Sequence, residues 1–195
     1  MGIELKNEFA VAASPDETYK ALVDILRVTP CIPGARIIGP HKDGGYEAEM
    51  SLKLGPMNMV FAGPIKILEQ SEKARRAVYW GSATERKGRG TASAKVVLAV
   101  GPGSLSPEGS AITVNTDLGI GGRVAQMGRG VMEGVAGELI RTMADNLEKM
   151  LAQDAATGSQ SPVGTAPLEQ QTGSSLKVGS LMAGALASKL RHRDE

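Results

Sequence analysis

Cysteine and histidine, the residues most used for metal binding and nucleophilic catalysis, are scarce in this sequence. The chain of 195 residues contains one cysteine, Cys31, and two histidines, His41 and His192. A single cysteine excludes an internal disulfide framework and a zinc site with several cysteine ligands. Neither histidine is placed to form a catalytic triad with Cys31 or a serine. The sequence therefore predicts a binding protein with no resident metal, and not an enzyme.

Aromatic residues are also few. There are two phenylalanines, three tyrosines and one tryptophan, against nine methionines and 25 glycines. A core built from methionine, valine and alanine is adaptable and less completely filled than one built on large rings. Such a composition is typical of a protein with an internal cavity, and equally of a general bias toward small residues.

Long apolar runs and an excess of charge of one sign are both absent. No stretch approaches the roughly 20 apolar residues of a membrane span, and "MGIELKNEF" lacks the pattern of a secretory signal. The 22 basic residues nearly balance the 21 acidic ones, which gives a net charge of +1. We therefore expect a cytoplasmic protein with no nucleic-acid partner.

The first two thirds of the chain predict an antiparallel sheet. Alternation predicts a strand over residues 4–11, and Ser14, Pro15 and Glu17 mark the capped start of a short helix over residues 15–26. From residue 35 to about residue 118, further alternating segments are separated by glycine- and proline-containing turns. Short connections favour antiparallel pairing. The predicted fold class is α+β, with a curved sheet of six to seven strands.

Residues 122–152 predict one long helix that covers the apolar face of this sheet. Apolar residues recur in it every three or four positions, at Val124, Met127, Val131, Val135, Leu139, Met143, Leu147 and Met150. The sheet is thus expected to grip a C-terminal helix.

Glycines interrupt the first half of this helix, at Gly128, Gly130, Gly134 and Gly137. Each lowers helix stability by about 1 kcal/mol relative to alanine. We interpret them as a groove on the cavity side of the helix that leaves room for an apolar ligand; close packing on the sheet is the alternative. "GIGGRV" resembles a dinucleotide fingerprint only superficially, because Val124 occupies the third glycine position.

Three residues that could carry chemistry have plainer interpretations. Cys31, between prolines and beside Ile32, is typical of a small buried hydrophobic residue. Glu47 and Glu49 alternate on a strand, and they are interpreted as a solvated face and not as an acid/base pair.

The composition changes after residue 152. We predict a globular domain over residues 1–152, a flexible linker over 153–174 and a basic amphipathic helix over 175–195. The tail could contact a membrane surface or dock in a groove of a partner enzyme, or it could stay unfolded. Its candidate contact residues are Leu176, Val178, Leu181, Met182, Leu186, Lys189, Leu190, Arg191 and Arg193.

Several of these segments together resemble one family. "CIPGA", "DGGYEAEMSLKLGPMNMVFAG", "GRGTASAKVVLAV" and "GGRVAQMGRGVMEGVAGELIRTMADNLEKML" are similar, in order and glycine–proline spacing, to the CoxG family of carbon monoxide dehydrogenase subunits, over about residues 5–151. The resemblance implies a helix-grip fold of the START and birch-allergen type, with an apolar cavity between sheet and helix. It also implies a role beside xanthine-oxidase-type molybdenum hydroxylases, chiefly carbon monoxide dehydrogenase, at the membrane.

Together, the resemblance and the composition predict a carrier of a membrane quinone, menaquinone in particular, between the membrane and the molybdenum enzyme. The quinone or another isoprenoid lipid is the only ligand expected, with no covalently bound cofactor. We expect the chain to be cytoplasmic and peripheral at the inner face of the membrane. The predicted ligand-binding residues are Met50, Leu52, Met59, Phe61, Trp80, Ala94, Val96, Val114, Met127, Val131, Gly134, Val135 and Leu139.

Two alternatives remain open. The chain could be an adaptor or assembly factor that recruits the molybdenum enzyme without carrying a ligand. It could also be a cyclase-like enzyme, for which Tyr46, Ser82 and Thr116 are the polar residues predicted to point inward.

Overall fold

The computed structural model describes residues 2–54, 57–103 and 108–158. Its strands are β1 (Gly2–Val11), β2 (Ala35–Pro40), β3 (Tyr46–Leu54), β4 (Met57–Ser71), β5 (Arg76–Glu85), β6 (Gly90–Pro102) and β7 (Ser110–Gly122). Its helices are α1 (Pro15–Val23), α2 (Ile25–Val28) and α3 (Arg129–Thr157), with 3₁₀ turns at Thr29–Cys31 and Arg123–Met127.

The seven strands form one antiparallel sheet in the order β1-β7-β6-β5-β4-β3-β2. Each strand from β2 to β6 pairs with the next along the chain, and β1 pairs with β7. The pairing of β4 with β5 shifts register between Ile67 and Glu69, and such a bulge bends the strand. The curved sheet with α3 against one face confirms the predicted helix-grip fold.

The short helix after β1 begins as its sequence predicts. The side chain of Ser14 accepts a hydrogen bond from the backbone nitrogen of Glu17, and the Glu17 carboxylate returns to Ser14 to complete a capping box. The predicted helix over residues 15–26 is divided, however, because Asp24 adopts an extended conformation and caps α2. Its side chain accepts from the backbone nitrogen of Arg27.

Two apolar clusters lie between the sheet and the helices. One joins α1 and the C-terminal half of α3 to the sheet, and its member Leu147 has no exposed area. The other lies near the N-terminal end of α3, where Met132 contacts the cluster that contains Met59 and Phe61. The apolar face of the sheet is therefore covered at both ends of α3.

The predicted helix over residues 122–152 starts later than expected. Gly122 and Gly128 adopt φ angles of 73° and 81°, a region that favours glycine, and the residues between them form a 3₁₀ turn. The α-helix begins only at Arg129 and continues to Thr157, beyond the predicted start of the linker at residue 153.

This later start changes which residues of α3 face the sheet. At 3.6 residues per turn, Met132 lies within about 20° of Met143 around the helix axis, whereas Val131 lies about 120° away. Met132 and Met143 are accordingly buried, and Val131 is 44% exposed. The predicted stripe through Val131 was therefore wrong in this half of the helix.

The glycines of α3 do not lie on the cavity side. Gly130 and Gly134 are exposed, and a Cβ added at either of them or at Gly137 would have no neighbouring atom within 4 Å among the described residues. Neither the predicted groove nor close packing on the sheet accounts for them. They leave the N-terminal half of α3 intrinsically weak while facing solvent.

Residues 159–195, with the predicted tail helix and most of the linker, lie outside the described residues. Within the described part, no helix is long and apolar enough to cross a membrane.

Candidate functional site

A cavity of about 420 Å³ lies between α3 and the sheet. This volume is within the range of small-molecule binding sites. Most of its wall is hydrocarbon, supplied by Leu52 and Phe61 from the sheet, Leu139 and Ile140 from α3, and Ile32 before β2. An apolar molecule of moderate size is the ligand that such a wall favours.

The cavity exists because α3 does not approach all strands equally. The helix packs on β1 and on the Thr29–Cys31 turn, and it stands off from strands β3 to β6. Those strands carry small residues where they border the space, including Ala48, Gly81, Ala83 and Ala94. The cavity therefore results from the small side chains of these strands and from the distance between the strands and α3.

Gly63 and Pro64 lie where β4 comes very close to β5 beside the cavity. A Cβ at Gly63 would lie 2.1 Å from the carbonyl oxygen of Ser82, so only glycine allows β4 and β5 to approach this closely. Regular pairing of the two strands is interrupted here, between Ala62 and Ile65.

Eight of the predicted binding residues border this cavity: Met50, Leu52, Phe61, Trp80, Ala94, Val96, Val135 and Leu139. Trp80 differs from the other seven in the direction of its side chain. It pairs with Lys66 and Lys95 across the sheet, and Lys66 Nζ lies 5.6 Å from the centroid of its ring. The ring therefore belongs to the outer face of the sheet, where it makes a cation–π contact.

The other five predicted residues do not border the cavity. Met59 and Val114 are buried in the two apolar clusters, and Met127 belongs to the 3₁₀ turn and packs beside one of them. Val131 and Gly134 face solvent because of the orientation of α3. Their predicted place in the cavity wall is thus corrected; a Gly134→Phe substitution, for example, would not fill the cavity.

Several residues of the wall were not predicted. On α3 these are Met132, Ala136 and Ile140. A helical pattern that begins at Arg129 and is aligned on Met143 and Leu147 would have predicted these three residues. Others lie on elements that were not expected to reach the site: Leu5, Asn7, Ile32, Ala35 and Ile37. The sequence does not indicate that the edge strand β2 closes one side.

Two hydroxyl groups at the cavity are already engaged within the chain. Thr29 Oγ1 donates to the carbonyl oxygen of Ile25 at 2.6 Å, and the Tyr79 hydroxyl donates to that of Leu22 at 2.7 Å. Burial raises the pKa of Tyr79 well above its ordinary value. Both groups are therefore neutral structural donors.

Glu49 is not part of a solvated face, contrary to the prediction. Its side chain is only 6% exposed, and it forms ion pairs with Arg36 and Arg86. The Arg36 Nε donates to Glu49 Oε1 at 2.8 Å. Because both partners hold the carboxylate, this group joins β2 to β3 and to the end of β5, and we assign it a structural role.

The described residues contain no group of three or more potential metal ligands. Cys31 is buried, as predicted, and desolvation raises the pKa of its thiol. Of the three polar residues predicted to point inward, Thr116 and Ser82 border the cavity and Tyr46 does not. Ser82 pairs with Ser93 across the sheet, one position away from the inward-facing Gly81 and Ala83.

Solved structures with the same fold are numerous and distant in sequence. A conserved protein from Geobacillus kaustophilus aligns with a TM-score of 0.66 at 19% identity, over 78% of this chain and 97% of that one. The Zhui aromatase/cyclase from Streptomyces sp. R1128 aligns with a TM-score of 0.56 at 13% identity, over 82% and 100%. A START superfamily protein from Mycobacterium smegmatis gives 0.50 at 17% identity, over 77% and 97%.

At these identities the similarity establishes the fold alone. No curated protein sequence matches the chain. The family model for CoxG, a subunit of carbon monoxide dehydrogenase, matches residues 8–152, which include nearly all of the sheet and α3 and all of the cavity wall except Leu5 and Asn7. The chain belongs to the CoxG family of carbon monoxide dehydrogenase subunits.

Proposed function

We propose that this protein carries a respiratory quinone, menaquinone in particular, between the membrane and a xanthine-oxidase-type molybdenum hydroxylase such as carbon monoxide dehydrogenase. The observation that carries the proposal is the cavity of about 420 Å³ with its largely hydrocarbon wall. Apolar burial contributes about 25 cal/mol per Å². A ligand that leaves a lipid bilayer loses its apolar surroundings. The apolar wall of the cavity buries the same surface again and so offsets that loss.

The dimensions favour a flat ring with part of an isoprenoid chain. The volume is that of a drug-sized ligand, and a long isoprenoid chain exceeds it. We expect the ring and the first isoprene units to lie inside. The rest of the isoprenoid chain then leaves the cavity beside the N-terminal half of α3. This half of the helix is intrinsically weak, with solvent-facing Gly130 and Gly134, and it moves to let the chain pass.

The family name supports the proposed partner. It is named for a subunit of carbon monoxide dehydrogenase, an enzyme that releases electrons and needs an acceptor. A lipid-soluble quinone brought to it by a carrier would meet that need, and the carrier itself needs no catalytic group. The described residues are consistent with such a non-enzymatic role, since the hydroxyls of Thr29 and Tyr79 are occupied within the chain.

One end of the sheet has the charge expected for contact with an anionic membrane. Lys53 on β3, Lys87 between β5 and β6, and Arg123 after β7 are all exposed, and none has an ion-pair partner among the described residues. Basic groups near an anionic lipid surface each contribute about 1 kcal/mol of attraction. The basic pattern of residues 175–195 would add to this contact.

Native mass spectrometry of freshly purified protein tests the proposal against its main alternative. A carrier retains a co-purifying quinone or isoprenoid lipid, which is identified after solvent extraction. An adaptor that only recruits the molybdenum enzyme binds that enzyme and retains no lipid. Recovery of a lipid-free chain that also takes up no added menaquinone would remove the carrier function in favour of the adaptor. A cyclase would instead convert an added polyketide substrate.

A further inference from the structure

The wall of the cavity formed by β1 and β7 contains two polar side chains in otherwise apolar surroundings. Asn7 and Thr116 both border the cavity and are both half-buried. The register pairs Leu5 with Thr116 and Asn7 with Val114. Asn7 and Thr116 are therefore diagonal neighbours on one face of the sheet, with backbones about 7–8 Å apart. A single functional group of a ligand can reach both.

Neither side chain has a hydrogen-bond partner within the part of the chain that the structure describes. They differ in this from Thr29 and Tyr79, whose hydroxyls are paired with carbonyl oxygens. A polar group that faces an apolar cavity lowers stability unless water or a ligand supplies the missing partner. The amide of Asn7 and the hydroxyl of Thr116 both offer a donor.

We propose that Asn7 and Thr116 donate hydrogen bonds to a carbonyl oxygen of the ligand and thereby select a quinone over a hydrocarbon. This inference rests on the proposed carrier function and adds the group that the cavity recognises. The two residues fix the polar ring near the middle of the β1–β7 wall. Toward the end of the sheet at Ile120 and Val124 the wall is apolar, so the isoprenoid chain extends in that direction.

Selectivity follows from the position of Asn7 and Thr116 on the inward-facing positions of their strands. Ser82 and Ser93 also border the cavity, but they pair with each other on the alternate positions of β5 and β6. Arg36 and Glu49, which also border the cavity, are engaged with each other. A site built to hydrogen-bond its ligand discriminates against an analogue that lacks the acceptor, because the buried donors are then left unpaired. Removing the donors should therefore weaken quinone binding without weakening the binding of a matching hydrocarbon.

The test uses the full chain with Asn7→Leu and Thr116→Val, which replace the donors by apolar groups of similar size. Two probes are titrated: a menaquinone with two isoprene units, and 2-methylnaphthalene, which has the same ring skeleton without carbonyls. Each substitution should weaken quinone binding by about fivefold to tenfold, the usual effect of one lost hydrogen bond. Binding of 2-methylnaphthalene should change by less than about twofold, because that probe never made the bond.

Matched controls come from the opposite face of the sheet, on β7. Asn115→Leu and Thr113→Val change the same residue types on β7, where the side chains point away from the cavity side, and should leave both affinities unchanged. If the unmodified chain binds quinone and the cavity variants bind it equally well, or weaken both probes equally, this inference is overturned and the carrier function stands. If the unmodified chain binds neither probe, both proposals are overturned.

Discussion

The hydroxyl of Tyr79 on β5 donates a hydrogen bond to the backbone oxygen of Leu22 at the end of α1, over 2.7 Å. Tyr79 also borders the cavity, so this bond ties the helix that closes one end of the apolar core to the wall of the ligand site. The Tyr79 side chain is thus a structural support of the site and not a proton donor to a ligand.

Removal of this hydroxyl should lower stability and spare binding. Tyr79→Phe leaves the Leu22 oxygen without its partner, and we expect the free energy of unfolding to fall by about 1 kcal/mol. Chemical denaturation measures the change. Because the ring remains in the wall, quinone affinity should stay within about twofold of the unmodified chain. A variant as stable as the unmodified chain would show that the bond contributes nothing.

The same residue predicts a loss of stability in alkali. Burial raises the pKa of Tyr79 above its ordinary value, so the unfolded chain releases this proton at lower pH than the folded one does. Stability is therefore complete below about pH 10, the pKa of an unperturbed tyrosine, and falls as the pH rises further. Denaturation midpoints measured from pH 8 to 11 should decline less in Tyr79→Phe. Equal declines in both proteins would contradict this origin.

A buried ion pair predicts the response to acid. The Arg89 guanidinium hydrogen-bonds Glu85 and lowers the pKa of that carboxyl to about 2, and two backbone N–H groups of the same turn also donate to it. The folded-state pKa is depressed, so the pair stabilises the fold above the ordinary pKa of glutamate and this stability is lost as the pH falls from about 4.5 toward 2.

Glu85→Gln should flatten this part of the pH profile. The amide cannot ionise, and the variant should be less stable at neutral pH but lose less stability between pH 5 and 2. Thermal melts at a series of pH values provide the measurement. Glu69→Gln is the control, since its ion pair with Arg76 is exposed and the substitution should leave the profile unchanged. A similar acid response in Glu85→Gln and the unmodified chain would contradict the assignment.

The solvent-facing glycines of α3 predict that substitution stabilises the protein. Gly130→Ala and Gly134→Ala add a methyl group where no described atom lies within 4 Å, and each should raise the free energy of unfolding by about 1 kcal/mol. The rate of quinone release should fall if this half of α3 opens to let the ligand pass, and stopped-flow exchange measures it.

Gly63→Ala provides the contrast. Its Cβ would lie 2.1 Å from the oxygen of Ser82, so the substitution should destabilise the fold by roughly 1–3 kcal/mol. If alanine at position 130 or 134 also destabilised the fold, the glycine face of α3 would have to be packed against another group. If it stabilised them with no effect on exchange, the helix would not be the entrance.

The sheet could be predicted from the sequence because alternation, turns and short connections are local signals. The extent of the cavity wall could not, because it depends on how α3 is rotated. That rotation is set by Gly128, whose positive φ delays the helix start to Arg129, and by the tertiary contacts of Met143 and Leu147. The predicted apolar stripe through Val131 treated the 3₁₀ turn (Arg123–Met127) and α3 (Arg129–Thr157) as one continuous helix, which they are not.

Glu49 illustrates a second limit. Its alternation with Glu47 indicated a solvated face, and the partners that bury it lie on β2 and after β5, far away in sequence. Asn7 likewise lies in a segment whose alternation predicts only a simple strand. The pairing of β1 with β7 places it beside Thr116, and no local pattern indicates that neighbour.

Filling the cavity should abolish ligand uptake while the fold is kept. Ala136 lies on the cavity side of α3 and Ala152 on its exposed side, so Ala136→Phe and Ala152→Phe compare the same change on one helix. Ala94→Phe fills the opposite wall and serves if Ala136→Phe folds poorly. Circular dichroism and thermal melts verify that each variant is folded.

The most direct test of the carrier function is the extraction of menaquinone from lipid vesicles by these proteins. Each protein is incubated with vesicles that contain menaquinone and separated from them by flotation, and the quinone in the protein fraction is quantified by mass spectrometry. We predict stoichiometric quinone with the unmodified chain and Ala152→Phe, and none with folded Ala136→Phe or Ala94→Phe. Quinone carried equally by the filled variants, or by none of the proteins, would contradict the account.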